Sequence, residues 1–199
     1  MSKLKVLVAC EQSGVVRDAF RNKGCDAYSC DILPNNSEFH IQDDVLKHLD
    51  EGWDLMIAHP TCTYLCNSGV HWLHKDPSRW DKLAEARGFF NSLLNCGIPK
   101  LCVENPIPHK YAKDGDNGIG QYTQIIQPYQ FGEDASKATC LWLKNLPKLI
   151  PTNIIKKKRY ANQTPSGQNK LGPSNDRWKL RSRTYEGIAK AMANQWGEA

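Results

Sequence analysis

A chain of 199 residues with 40% hydrophobic and 24% charged residues has room for one domain with a substantial core. No apolar run approaches the roughly 18 residues of a membrane span, and the short run before Cys10-Glu11 has no signal-peptide cleavage pattern after it. The net charge of +5 is uneven: Lys156, Lys157, Lys158, Arg159, Lys170, Arg177, Lys179, Arg181 and Arg183 face the single acid Asp176, which suits contact with a polyanion such as nucleic acid.

In chain order, residues 3–9 (KLKVLVA) predict a first strand that ends at the turn Glu11–Gly14. Val15, Val16, Ala19 and Phe20 recur at helical spacing, with Gly24 as the stop. Residues 27–30 predict a second strand ending at Asp31, and residues 39–41 a third, with a helical turn over 45–49. Trp53–Ala58 predicts a buried strand that stops at His59-Pro60. Residues 80–96 predict a long amphipathic helix, and 100–103 a strand that stops at Glu104-Asn105-Pro106. Residues 122–129 and 139–143 predict two further strands paired with one another; 144–180 predicts an extended loop and 185–196 a terminal helix.

Strands alternating with helices predict an α/β fold: a mostly parallel sheet with helices on both faces. Ligands in such folds bind outside the carboxyl ends of the strands. Here those ends carry Cys10-Glu11, Asp31, His59–Cys62 and Glu104-Asn105. A thiol at such a position becomes a nucleophile where its surroundings stabilise the thiolate, and a neighbouring carboxyl group can serve as acid or hydrogen-bonding partner. Cys10, Cys30 and Cys102 among the eight cysteines sit in or beside apolar runs, and strand-like apolar segments are too plentiful for a core-poor disulfide scaffold, which predicts free thiols and a reducing, cytoplasmic setting. His59, Cys62, Cys66, His71 and His74 do not match paired zinc-ligand spacings, so no metal is expected. The Gly-rich dinucleotide fingerprint is absent, since only Gly14 stands in the first turn.

The order of these motifs resembles the cytosine-5 DNA methyltransferases, and specifically the short members found in bacteriophages. The resemblance is carried by Glu11–Gly14, Asp31, Asp44, Pro60-Thr61-Cys62 and Glu104-Asn105-Pro106, and then by residues 129–132 (YQFG), 137–144 (KATCLWLK) and 181–193 (RSRTYEGIAKAMA). It spans nearly the whole chain. It implies a Rossmann-like fold dependent on S-adenosylmethionine, held by Cys10, Glu11, Ser13, Gly14, Asp31, Ile32, Asp44, His59, Pro60, Ser182 and Thr184. Asp31 would take the ribose, Asp44 the adenine, and 181–184 would close the pocket beside the first strand. Cys62 would add to carbon-6 of an extruded cytosine, with Glu104 bound to its ring and Lys137 steadying the base.

The resemblance further implies DNA as partner, met by Lys156, Lys157, Lys158, Arg159, Arg177, Arg181 and Arg183, inside a bacterial cytoplasm. It divides the chain into a catalytic core (1–150), a basic loop (151–180) where larger members carry a target-recognition domain, and a returning terminal helix (181–199). Three departures stand out. Thr61 separates Pro60 from Cys62, Pro106 replaces a valine after Glu104-Asn105, and the arginine pair that normally steadies the base is missing. The shortened recognition region leaves open an RNA or free-nucleotide acceptor, or a non-catalytic protein that binds a host factor.

Overall fold

The computed structural model describes residues 3–198. Its strands are β1 (Lys5–Ala9), β2 (Asp26–Asp31), β3 (His40–Gln42), β4 (Leu55–Ala58), β5 (Lys100–Pro106), β6 (Gln124–Ile126) and β7 (Thr139–Lys144). The helices are α1 (Val15–Asn22), α2 (Arg79–Leu94), α3 (Lys110–Lys113), α4 (Arg177–Ser182) and α5 (Glu186–Trp196). The strands form one sheet in the order β3-β2-β1-β4-β5-β7-β6. β1 to β5 are parallel, whereas β7 runs antiparallel between β5 and β6.

Side chains on successive strand residues point to opposite faces, and both faces of this sheet are covered. Val6, Val8, Leu55, Ile57 and Cys102 join the core beneath α1 and α5, with Phe20, Met192 and Trp196. Leu7, Ala9, Met56, Ala58, Leu101 and Val103 join the opposite core, with Leu83, Phe90 and Leu93 of α2. That two-sided burial explains why β1 and β4 are continuous apolar runs. Strand order reverses at β1, since β2 and β3 extend to one side and β4 and β5 to the other; the crevice opens at that point.

The structure departs from the sequence-based expectations in four places. β5 continues through Glu104, Asn105 and Pro106, because β7 pairs with all three: Glu104 with Leu141, Asn105 with Cys140 and Pro106 with Thr139. β6 is shorter than expected, since Pro128 starts a tight turn in which the Gln127 and Gln130 side chains cap one another's backbone. The loop after β7 contains α4. It is also pinned to the body, as Asn162 bonds both ways with the Ser136 backbone (2.9 Å each) and Tyr160 stacks on Tyr129 at 4.7 Å. Residues Asn67–His74 after Cys62 form 3-10 turns that periodicity did not reveal.

α5 starts beneath the Phe131 carbonyl, where a Cβ on Gly187 would lie 2.0 Å from that oxygen. The Gly187 amide donates to the Glu133 carboxylate at 2.8 Å. Gly187→Ala is therefore expected to cost about 1–3 kcal/mol in urea unfolding, by forcing the helix off the sheet; an unchanged midpoint would contradict this packing.

Candidate active site at the carboxyl ends of β1, β2, β4 and β5

The first turn is built around backbone strain and an inward carboxylate. Cys10 has φ +57° and Gly14 φ +75°, so the chain leaves β1 sharply and enters α1 from a left-handed residue. Glu11 is buried, and its carboxylate accepts from the amides of Val16 (2.7 Å) and Arg17 (3.2 Å) and from the Ser13 hydroxyl (3.3 Å). Its negative charge thus caps the positive end of α1. The Glu11 carboxylate is engaged at the end of the helix.

Behind the turn lies a buried relay that sequence reading missed. The buried Arg17 guanidinium donates to the Ser29 hydroxyl (2.9 Å), Ser29 meets His40 Nδ1 (2.8 Å), and His40 Nε2 meets the Leu33 carbonyl (2.9 Å). With Ser29 as donor to Nδ1, the His40 proton sits on Nε2. The relay fixes the segment after β2 relative to α1 and so positions Asp31. Arg17 also fills the space where a Gly14 Cβ would stand, 2.2 Å away.

Asp31 ends β2, and one carboxylate oxygen accepts from the Leu33 amide at 2.9 Å. Beside it Ile32 is 73% exposed, an apolar side chain left in water at the crevice. Asp44 caps the turn Val45–Lys47 through the Leu46 amide at 3.1 Å. Burial first, and then the charges of Asp31, Cys30 and Asp44, push the Cys10 thiol up to about 12. Cys10, Asp31 and Asp44 therefore share one electrostatic neighbourhood, and Cys10 stays protonated.

On the other side of β1, His59 and Glu104 face each other across β4 and β5. His59 Nδ1 lies 3.5 Å from Glu104 Oε1, with the imidazole 7% and the carboxylate 18% exposed. At that separation neither ring nitrogen has a hydrogen-bonding partner, and both are buried. Burial alone would raise the Glu104 carboxyl, but His59 and the Lys137 ammonium outweigh it and hold it below its ordinary value. Burial likewise opposes a charged His59, yet the Glu104 carboxylate holds its pKa above the ordinary value. The structure places His59, expected at the cofactor, next to Glu104.

Cys62 is half-buried one turn beyond Pro60, within the field of Glu104 and Lys137. The amides of Leu65 and Cys66 both donate to the Cys62 carbonyl (3.0 Å each), so Cys62 and Cys66 close one helical turn. The two thiols interact, and the Cys66 sulfur also meets the Ser68 hydroxyl at 3.1 Å. Their contact lowers the first ionisation, with the charge favoured on Cys66, and raises the loss of the second proton from Cys62. Lys137 is held by two contacts: its amide donates to Gln127 Oε1 (2.9 Å) and its ammonium to the Arg181 carbonyl (3.0 Å).

The remaining expected contacts are placed less tightly. Ser182 is exposed and donates to the Lys179 carbonyl (3.1 Å), while Thr184 is half-buried ahead of α5. Lys156, Lys158, Arg159 and Arg181 are exposed, Lys157 pairs with Asp134, and Arg183 pairs with Glu186 at 3.4 Å. Arg177 is half-buried, with Nε lacking a partner. Pro60 is buried beneath the Cys62 turn.

The overall fold is similar to that of solved structures. A protein from E. coli encoded within a prophage and described as a DNA modification methyltransferase superposes with a TM-score of 0.50 at 16% identity, over 77% of this chain and 52% of that one. The chain has a methyltransferase fold. It spans about half the length of that neighbour. The S. pombe Dnmt2 methyltransferase (TM-score 0.46, 16% identity, 74% of this chain and 51% of that one) and the Entamoeba histolytica methyltransferase EhMeth (0.46, 14%, 80% and 58%) are more distant. No protein-family model and no curated protein sequence matches the chain. Among the described residues, no helix is long and apolar enough to cross a membrane.

Proposed function

We propose that this protein transfers a methyl group from S-adenosylmethionine to carbon-5 of cytosine in DNA, through a covalent adduct on Cys62. The observation that carries the reading is the buried His59–Glu104 pair beside the Cys62 thiol at the strand ends. A charged pair with unpartnered ring nitrogens is costly to bury unless a polar ligand completes it. A cytosine ring, with an amino donor beside a ring-nitrogen acceptor, has that polarity.

The residues around Asp31 fit the cofactor. A strand-end carboxylate suits ribose hydroxyls, and the neighbouring exposed Ile32 suits the face of an adenine. The backbone of Cys10–Gly14 would meet the amino-acid end, with Asp44, Ser182 and Thr184 at the rim. When bound, S-adenosylmethionine supplies an electrophilic methyl group. Cys62 supplies the nucleophile: its sulfur bonds to carbon-6 and the opened double bond enriches carbon-5. Glu104 takes the amino hydrogen bond, and the positive charge of the neighbouring His59 offsets charge on the ring. Loss of the carbon-5 proton to water then releases Cys62. Lys137 would steady the base from above, and the exposed Lys156, Lys158, Arg159 and Arg181 would meet phosphates.

The reading is tested by incubating the protein with methyl-labelled S-adenosylmethionine and cytosine-containing DNA. Label in 5-methylcytosine is expected, and none is expected in DNA whose cytosines are replaced by thymines. Label in RNA or free dCMP but not in DNA would move the acceptor. Asp31→Ala is expected to weaken cofactor binding by about 10-fold or more in calorimetry, the worth of one hydrogen bond to a charged group; undiminished affinity would remove Asp31 from the cofactor site.

A further inference from the structure

Two exposed tryptophans stand on the segment that follows Cys62. Trp72 is 48% and Trp80 40% exposed, whereas Trp53, Trp142 and Trp196 are buried. Large aromatic surface is seldom left in water without a use. The Trp80 ring meets Tyr111 at 5.1 Å, and His74 meets both, at 6.0 and 5.6 Å. Tyr111 comes from the chain beyond Glu104, so the cluster joins the segments that leave the two reactive strand ends. A backbone seam holds those segments together: the Asn67 amide donates to the Ile107 carbonyl (2.8 Å) and the His109 amide to the Leu65 carbonyl (3.0 Å).

Three rings of these segments also have a cation beside them. Lys75 lies 5.2 Å from the Trp72 ring, Arg79 4.7 Å from Tyr64 and Lys110 4.8 Å from Tyr111. The facing carboxylate Asp76 is occupied by the Ser78 amide and hydroxyl at 3.1 and 2.7 Å. Alternating rings and cations match a chain of bases and phosphates. In a duplex the faces of the bases are stacked on one another, so exposed rings at this edge find partners only on unpaired bases.

We propose that Trp72, Trp80 and Tyr111 form a stacking platform for the unpaired bases of single-stranded DNA flanking the base that enters at Cys62. The proposal rests on the reading of Cys62 as a site for a DNA base, and it names the form of the substrate: a single strand rather than a duplex. It also gives this short chain a means of holding DNA without a groove-reading domain.

The test is equilibrium binding of the full chain to oligodeoxythymidylate, a probe without cytosine, read by tryptophan fluorescence quenching and by anisotropy. The single strand is expected to bind more tightly than the matching dA·dT duplex and to quench the tryptophans. Trp72→Ala and Trp80→Ala are each expected to weaken binding about 10-fold, with Trp72→Phe retaining most of it. Equal affinity for duplex and single strand, tighter binding of oligouridylate, or full affinity in a folded Trp72→Ala/Trp80→Ala variant would overturn the platform. Failure of methyl transfer with the platform intact is thereby distinguishable from failure of the platform with methylation of duplex DNA intact.

Discussion

Cys62→Ala is expected to abolish methyl transfer to DNA, a loss of about 10⁴-fold or more, while binding of S-adenosylmethionine stays near the wild-type value. The argument rests on placement. Among the eight free cysteines, Cys25, Cys30, Cys102 and Cys140 are buried, and burial raises their thiols, so they stay protonated and inert. Cys10 is likewise held up to about 12, by burial and by the acids on the cofactor side. Cys62 too is held above its ordinary value, first by its contact with Cys66 and then by burial, with Lys137 opposing; what sets it apart is its half-exposed place after β4, in the field of Lys137 and Glu104. The half-buried Cys62 side chain is small, so its truncation leaves the fold in place and the loss reads chemistry. Steady-state transfer of labelled methyl groups measures it, and a variant within about 10-fold of wild type would remove Cys62 from the reaction.

Glu104→Gln is expected to lower the rate of methyl transfer by about 10²–10⁴-fold, since an amide can neither carry the negative charge that faces His59 nor pass a proton to the ring. The same substitution has a signature in stability. The depressed Glu104 carboxyl contributes stability that is complete above its ordinary value of 4.5 and is lost as the pH falls through its lower folded value. The elevated His59 contributes stability that is complete below 6.5 and is lost as the pH rises through its higher folded value. The pair therefore contributes fully between about 4.5 and 6.5 and fades on either side. Each unit of displacement is worth about 1.4 kcal/mol at full burial. Urea titrations from pH 6 upward should show the wild type losing stability as His59 deprotonates, and Glu104→Gln showing no such slope. Parallel pH profiles for the two proteins would mean that the Glu104 charge does not hold His59 protonated.

The sheet was legible in the sequence because burial on both faces leaves continuous apolar runs, as in Val6–Ala9 and Leu55–Ala58, whose ends are marked by polar residues. The ends themselves were harder to read. Pro106 marked a stop after Val103, yet β7 supplies partners through Pro106, and antiparallel pairing between distant segments leaves no local signal. Glu11 stood in the right turn, but only the structure reveals that its carboxylate faces α1. His59 was singled out for its position at the end of β4; its pairing with Glu104 depends on β4 and β5 being neighbours, which periodicity does not specify. The aromatic face was less legible still. Trp72 and Trp80 resemble packing residues in sequence, and their exposure follows from how the Asn67–His74 turns lie against α3.

The central claim is a bond between Cys62 and cytosine, and trapping tests it most directly. With DNA carrying 5-fluorocytosine and S-adenosylmethionine, the adduct cannot lose its carbon-5 substituent and should survive denaturation. Mass spectrometry of the digested complex is expected to find the methylated fluorocytosine on the peptide containing Cys62, and Cys62→Ala should give no adduct. Methyl transfer to cytosine without any covalent complex, or an adduct on another cysteine, would contradict the account.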